Sequence, residues 1–391
     1  MKSAPIASSS RGGILLTNST PGALAQDCRR MLVDLELLEL RHCVETPKAS
    51  PSRRGGVEAG FRLRAGLARC WAPGFDTLDL ATQLQLDTAR RSGDLEREIL
   101  LAMLLGPLAF EFPSHAELAS SVRMRRNIVL AARKTALAFY TSEADRPDDC
   151  WTYGDERGFT VRPGQALIAA LQKATQPEPS GRRYAFSCCR ATEYVMLLGI
   201  AQELESANPP LLAALQRQWE RRAIKSDEFR SRFLREHGSM QQPLPPRYYV
   251  PGDRVWFRNP DPYSSNATGY EGSWVLYLGS GLFTNFWTSD PAYTFHGKCL
   301  EMFQWRHTAY SDDAGDVRID EALVTTRLNA LAGDPAQTAL ILQQMLRLRD
   351  PQAAGGPGGC LDASREYPRW VCPHTADLAL PLDAQQARPV N

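Results

Sequence analysis

At Tyr184 a polar loop passes into a long apolar-periodic run, YAFSCCRATEYVMLLGIAQEL, and this run limits what the chain can become. Tyr194, Val195, Leu197, Leu198, Ala201 and Leu204 recur at helical spacing, which predicts a helix that other elements must cover. Ser187 stands where an N-cap belongs, so Cys188 falls in the first turn. There the positive end of the helix dipole and free main-chain N–H groups favour a thiolate over a thiol. The same N–H groups can hold an oxyanion. Two readings follow for the doublet: Cys188 is a nucleophile at a helix start, or both cysteines are small buried apolar side chains, as free cysteines commonly are. Cys189 projects about 100° further round the helix and is assigned to packing.

A cysteine nucleophile needs a histidine from elsewhere in the chain. Of His42, His115, His237, His296, His307 and His374, only His296 and His307 fall in or just after the strand-rich region, and only His296 lies inside a strand-like run. Residues 243–300 are dominated by aromatic and β-branched side chains and are punctuated by Gly-Asp, Asn-Pro-Asp and Gly-Ser-Gly. They predict at least three antiparallel strands. Upstream, SHAELASSVRMRRNIVLAARKTALAFY reads as an amphipathic helix, with Ser114 and Glu117 spaced as a capping box. The run WTYGDERGFTVRPG reads as a hairpin. The fold class is therefore α+β, helices followed by an antiparallel sheet; cysteine hydrolases of papain-like plan pack the cysteine helix on such a sheet.

Residues 1–25 are rich in Ser, Thr, Gly and Pro and are expected to be disordered. Residues 26–112 read as a helical accessory region, 113–312 as the core, 313–350 as a helical C-terminal segment and 351–391 as a flexible tail. Net charge is +1, which supplies no general field for nucleic acid or an anionic membrane. The basic run Arg123-Met124-Arg125-Arg126 is one helical turn, expected to be solvated or salt-bridged. Nine irregularly spaced cysteines argue against a disulfide scaffold and for a reducing compartment. No CxxC pair occurs, and Cys360, Cys372 and His374 match no familiar zinc spacing. No EF-hand-like calcium loop is present either, so no metal or cofactor is expected. No apolar run has the length of a signal peptide core or a membrane span, and the protein is expected in the cytoplasm or elsewhere inside the cell, export by a non-classical route aside.

The motifs, taken in order, resemble the bacterial spore-coat type of protein-glutamine γ-glutamyltransferase, a transglutaminase. They are AELASSVRMRRNIVLAARKT, WTYGDERGFTVRPGQALIAAL, YAFSC, GDRVWFRNPD and EGSWVLYLGSGLF, together spanning about Ser114 to His307. The resemblance implies a papain-like core and a calcium-independent acyl transfer. A cysteine thiolate attacks the side-chain carboxamide of a protein glutamine and ammonia leaves. A lysine amine or water then takes the acyl group from the thioester, giving an isopeptide cross-link or a deamidated product. Protein substrates carrying glutamine and lysine are the implied partners. YAFSC makes Cys188 the nucleophile. Where the family has glutamates, this chain has Ser187 and Ser273. An ungapped alignment puts Phe286 at the family histidine, whereas a gap of about ten residues aligns YTFHG and makes His296 the base. Glu271, two residues before Ser273 and on the same strand face, is the candidate acid, with Asp253 and Asp290 as others. Trp256, Trp274, Tyr277 and Trp287 are either an aromatic wall for the acyl group or core. Two alternatives accompany this reading: a degenerate family member that binds without turnover, and a related Cys–His amidase or deamidase.

Overall fold

A computed structural model describes residues 12–52, 55–139, 144–288, 292–349 and 358–380. The front of the chain holds a four-stranded sheet rather than helices alone. Strands β1 (Gly13–Asn18), β2 (Ala49–Pro51), β3 (Val57–Phe61) and β4 (Ala109–Phe112) are ordered β2-β3-β1-β4, with β1 and β4 parallel and the other pairs antiparallel. The helices α1 (Pro21–Leu37) and α2 (Ser92–Leu104) pack on β1. Residues 12–25, expected to be disordered, thus form β1 and the first turn of α1. Ile14 and Leu16 alternate into the core with no exposure, and this outweighs the polar composition around them.

Helix α3 (His115–Lys134) starts at the predicted Ser114 cap, whose Oγ accepts from Glu117 N at 3.2 Å. Glu117 does not complete a capping box. Its carboxylate is buried and accepts from Val371 N, Cys372 N and Thr375 Oγ1, tying the C-terminal segment to α3. The basic turn of α3 is salt-bridged throughout: Arg123 to Glu203, Arg125 to Asp253 at 2.7 Å, and Arg126 to Glu96. The predicted hairpin forms as β5 (Trp151–Gly154) and β6 (Gly158–Val161), followed by α4 (Leu167–Thr175).

The cysteine helix, α5 (Cys188–Ala207), is buried around most of its circumference. It packs against α3, α4 and α6 (Pro209–Arg221). Its approach to α3 is close: a Cβ at Gly199 would lie 2.5 Å from Ile128 Cγ1 and 2.8 Å from Ile128 N, so only glycine fits there. After α7 (Ser226–Phe233) come β7 (Leu234–His237), β8 (Arg254–Arg258), β9 (Gly272–Gly279), β10 (Leu282–Thr284), β11 (Ala292–Thr294) and β12 (Arg365–Pro368). They form an antiparallel sheet of order β11-β10-β9-β8-β12-β7. Leu276 and Leu278 of β9 face the core shared with α3 and α5. Val275 and Tyr277 face a second core under α8 (Phe295–Thr308), α9 (Glu321–Leu331) and α10 (Pro335–Met345).

Two expectations are corrected here. The strand read through Phe303 stops at Thr294, whose Oγ1 accepts from Gly297 N at 3.0 Å and caps α8. The supposed flexible tail is structured over 358–380 and supplies β12 to the interior of the sheet. The remaining tail residues, 351–357 and 381–391, lie outside the described residues.

Candidate active site

The two neighbours of β9 cover different parts of it. On the β8 side the register runs from Arg258↔Gly272 to Arg254↔Leu276. On the other side β10 meets it only at Tyr277↔Phe283 and Gly279↔Leu282. Leu276 N, on that second side, reaches Thr284 Oγ1 at 3.0 Å. Alternate residues of a strand direct their N–H groups to the same side, so the N–H of Trp274 faces an edge that β10 no longer covers. Cys188 meets that edge. The main-chain groups of Trp274 and Cys189 act on its sulfur, favouring the thiolate.

The local sequence explains the placement. Phe186 pairs with Phe139 in a short parallel bridge, which fixes the entry to α5. Ser187 caps the helix by accepting from Arg190 N at 3.4 Å, and Cys188 follows as the first helical residue, half-buried. Burial pushes the Cys188 thiol above its ordinary value, opposed by the Trp274 hydrogen bond and by the positive charges of Lys298 and Arg254. A thiol held near main-chain donors, with two cations in range, can attack a carbonyl and stabilise the resulting oxyanion once it is deprotonated.

Cys189 is also half-buried, but it lies in a network of charges rather than in apolar packing as expected. Its Sγ donates to Glu193 Oε1 at 3.4 Å and lies 3.3 Å from Arg254 Nη2. Arg254 is itself bonded to Thr192 and Glu366, and its guanidinium stacks 3.8 Å from the Trp274 ring centroid. Desolvation and the Glu193 charge push the Cys189 thiol to about 11.

The other predicted site residues are placed as follows. His296 stands in the first turn of α8, exposed, with Nε2 3.2 Å from Arg247 Nη1; Arg247 in turn pairs with Asp76 and Asp79. Desolvation and the Arg247 charge lower its pKa. Thr294 pairs with Leu282, and Leu282 with Gly279. His296 therefore starts from the Gly279 end of β9, five residues or about 17 Å along the strand from Trp274. Its side-chain partner is Arg247 rather than Cys188. Glu271 is exposed at the head of β9, its carbonyl accepting from Asn259 N, and alternation gives it the face shared by Ser273, Val275 and Tyr277. Asp253 is engaged by Arg125, and Asp290 lies outside the described residues. Phe286 is core, 3% exposed. Of the four aromatics expected as wall or core, Tyr277 is core, whereas Trp256, Trp274 and Trp287 are half-buried.

Sequence reasoning missed Lys298. It is 3% exposed, with Nζ 4.3 Å from the Tyr293 ring centroid, 5.5 Å from that of Trp305 and 3.3 Å from Glu301 Oε2. Lys298 follows His296 by two positions, about 200° round the helix, so burying one side chain presents the other to solvent. Its signal was Cys299, Met302 and Trp305, apolar residues at helical spacing hidden in an aromatic-rich stretch.

Among the described residues no group of three or more His, Cys, Asp or Glu side chains is set to hold a metal, and no helix is long and apolar enough to cross a membrane. A family model described as protein-glutamine gamma-glutamyltransferase matches residues 77–380. No curated protein matches the chain in sequence. Among solved structures, a transglutaminase from Geobacillus stearothermophilus (without C-terminal extension) matches over 55% of this chain and 98% of its own, at 18% identity and a TM-score of 0.37.

Proposed function

Because the chain belongs to the protein-glutamine gamma-glutamyltransferase family, we propose that it transfers γ-glutamyl groups through a thioester on Cys188. The family fold this implies, a papain-like core, is supported by the packing of α5 on β9. In the first step the Cys188 sulfur bonds to the carboxamide carbon of a protein glutamine and the C–N bond breaks. The thiol proton leaves with the nitrogen as ammonia. In the second, a lysine amine or water attacks the thioester carbon and the sulfur recovers a proton. In this reading the main-chain groups of Trp274 and Cys189 take up the negative charge that grows on the carbonyl oxygen. The observation that carries the reading is this capped helix start set against an unpaired strand edge. His296 and Glu271, assigned by resemblance, are given no step in this arrangement.

The test is incorporation of a biotinylated primary amine into casein, with ammonia release followed alongside. Labelling that disappears in Cys188→Ala and persists in Cys189→Ala supports the proposal. Ammonia without labelling would make the protein a deamidase. A second reading, a binding module without turnover, is favoured by the raised Cys188 thiol and by the engagement of His296 with Arg247. It predicts that both signals are absent from a folded protein.

A further inference from the structure

We propose that Lys298, rather than a histidine, is the charged partner of the Cys188 thiolate in this chain. The inference rests on the reading of Cys188 as nucleophile and identifies the residue that tunes it. Its geometry comes from the open edge of β9. The edge begins where β10 ends at Thr284, and Ala292 of β11 pairs with Thr284 there. The next residue of β11, Tyr293, carries the Lys298 ammonium over its ring. On its other side that ammonium faces Trp305, whose ring contacts Tyr270 at 5.0 Å, two residues before β9 begins. Tyr270 leads to Phe139, 6.5 Å away, and Phe139 pairs with Phe186, two residues before Cys188. Lys298 and Cys188 thus reach the same edge, Lys298 from the second-core side and Cys188 from the α5 side.

The surroundings suit a fixed cation. Lys298 is buried beside two rings, which hold an ammonium by its charge, and among the described residues Glu301 forms its salt bridge. Charged groups around the cysteine pair include Arg254 on β8 and Arg190 and Glu193 on α5. The Arg254 charge is shared among Glu366, Glu193 and Thr192. Lys298 is also the leading charge acting to lower the Cys188 thiol against burial.

The experiment measures the iodoacetamide reaction rate of Cys188 by peptide mass spectrometry across pH 7 to 11 in the full chain. Amine incorporation is followed in the same samples. Lys298→Met is expected to slow alkylation at pH 8 roughly tenfold, a shift of about one pKa unit in the titration midpoint. Lys298→Arg is expected to restore most of the rate, and His296→Gln to leave it unchanged. Glu301→Gln, which frees the ammonium, is expected to speed it, and this variant carries the test if Lys298→Met fails to fold. An unchanged midpoint in folded Lys298→Met overturns the proposal, as does a larger shift in His296→Gln. With Lys298→Met unfolded, an unchanged rate in Glu301→Gln does the same. Wild-type labelling without Lys298 dependence would leave the acyltransferase standing and remove Lys298. Lys298-dependent alkylation without labelling would do the reverse.

Discussion

The two ends of β9 show opposite solutions to the same problem, a strand whose neighbours are short. At the Gly279 end the main chain is closed off. Glu98 of α2 is 1% exposed, accepts from Ser280 N at 2.8 Å and from Tyr277 Oη at 3.3 Å, and fills the space a Cβ on Gly279 would need. At the Gly272 end pairing stops and the free edge is met by Cys188. A buried main-chain N–H must find a partner. At one end a carboxylate supplies it permanently. At the other the Cys188 sulfur acts on it, and in the proposed reaction a carbonyl oxygen takes that place. The difference is why the proposed chemistry is placed at the Gly272 end.

The contrast can be broken from either end. Arg254→Met removes the guanidinium that stacks on Trp274 and pairs with Glu366, leaving buried carboxylates without their cation. A loss of about 3–5 kcal/mol is expected by analogy with other broken buried pairs, read as a lower urea midpoint. A midpoint within experimental error of wild type would show that the network does not hold the open end.

Glu98 offers a pH signature for the closed end. Burial raises its pKa to about 7, so the folded state keeps a proton that the unfolded chain releases near the ordinary carboxyl value. Between those values the unfolded state binds fewer protons, and stability falls as pH rises, by up to about 3 kcal/mol. Glu98→Gln is expected to flatten this part of the stability–pH profile while leaving Cys188 alkylation alone. A wild-type profile already flat from pH 4.5 to 7 would contradict it.

Thr284→Val removes the acceptor for Leu276 N, the last contact before the edge opens, and is expected to cost about 1–3 kcal/mol. Hydrogen exchange at Leu276 should accelerate; unchanged protection would mean the edge opens elsewhere. The smallest effect is expected for Ser187→Ala, about 1 kcal/mol from the lost cap, seen by thermal melting. Ser187→Gly should recover most of that loss, and if it does not, the cap is not the cause.

Much of this site is legible in the sequence because its signals are local. Helical spacing after Ser187 gives α5, and alternating aromatic and β-branched residues give β8 and β9. What was illegible depends on distant partners. Arg365 and Glu366 of β12 look like tail residues, and Glu366 is buried because Arg254 neutralises it. Glu117 looks like half of a capping box, but Val371 and Cys372 claim its carboxylate. The YTFHG motif looks like a strand because three of its residues favour one, and the second core turns it into a helix start. Hydropathy patterns register an apolar face, not a charge whose counterpart lies a hundred residues away.

The late arrival of β12 also sets an order of assembly. Arg254 waits for Glu366, 112 residues further on, and Glu117 for Val371, 254 residues further on. As the chain leaves the ribosome, α5 and its cysteine emerge well before the strand that fills the sheet between β8 and β7. A nascent chain lacking β12 leaves the Arg254 guanidinium without Glu366 beside Cys189 and Trp274. The charge network beside the cysteine pair is therefore completed only when the last structured segment has been made.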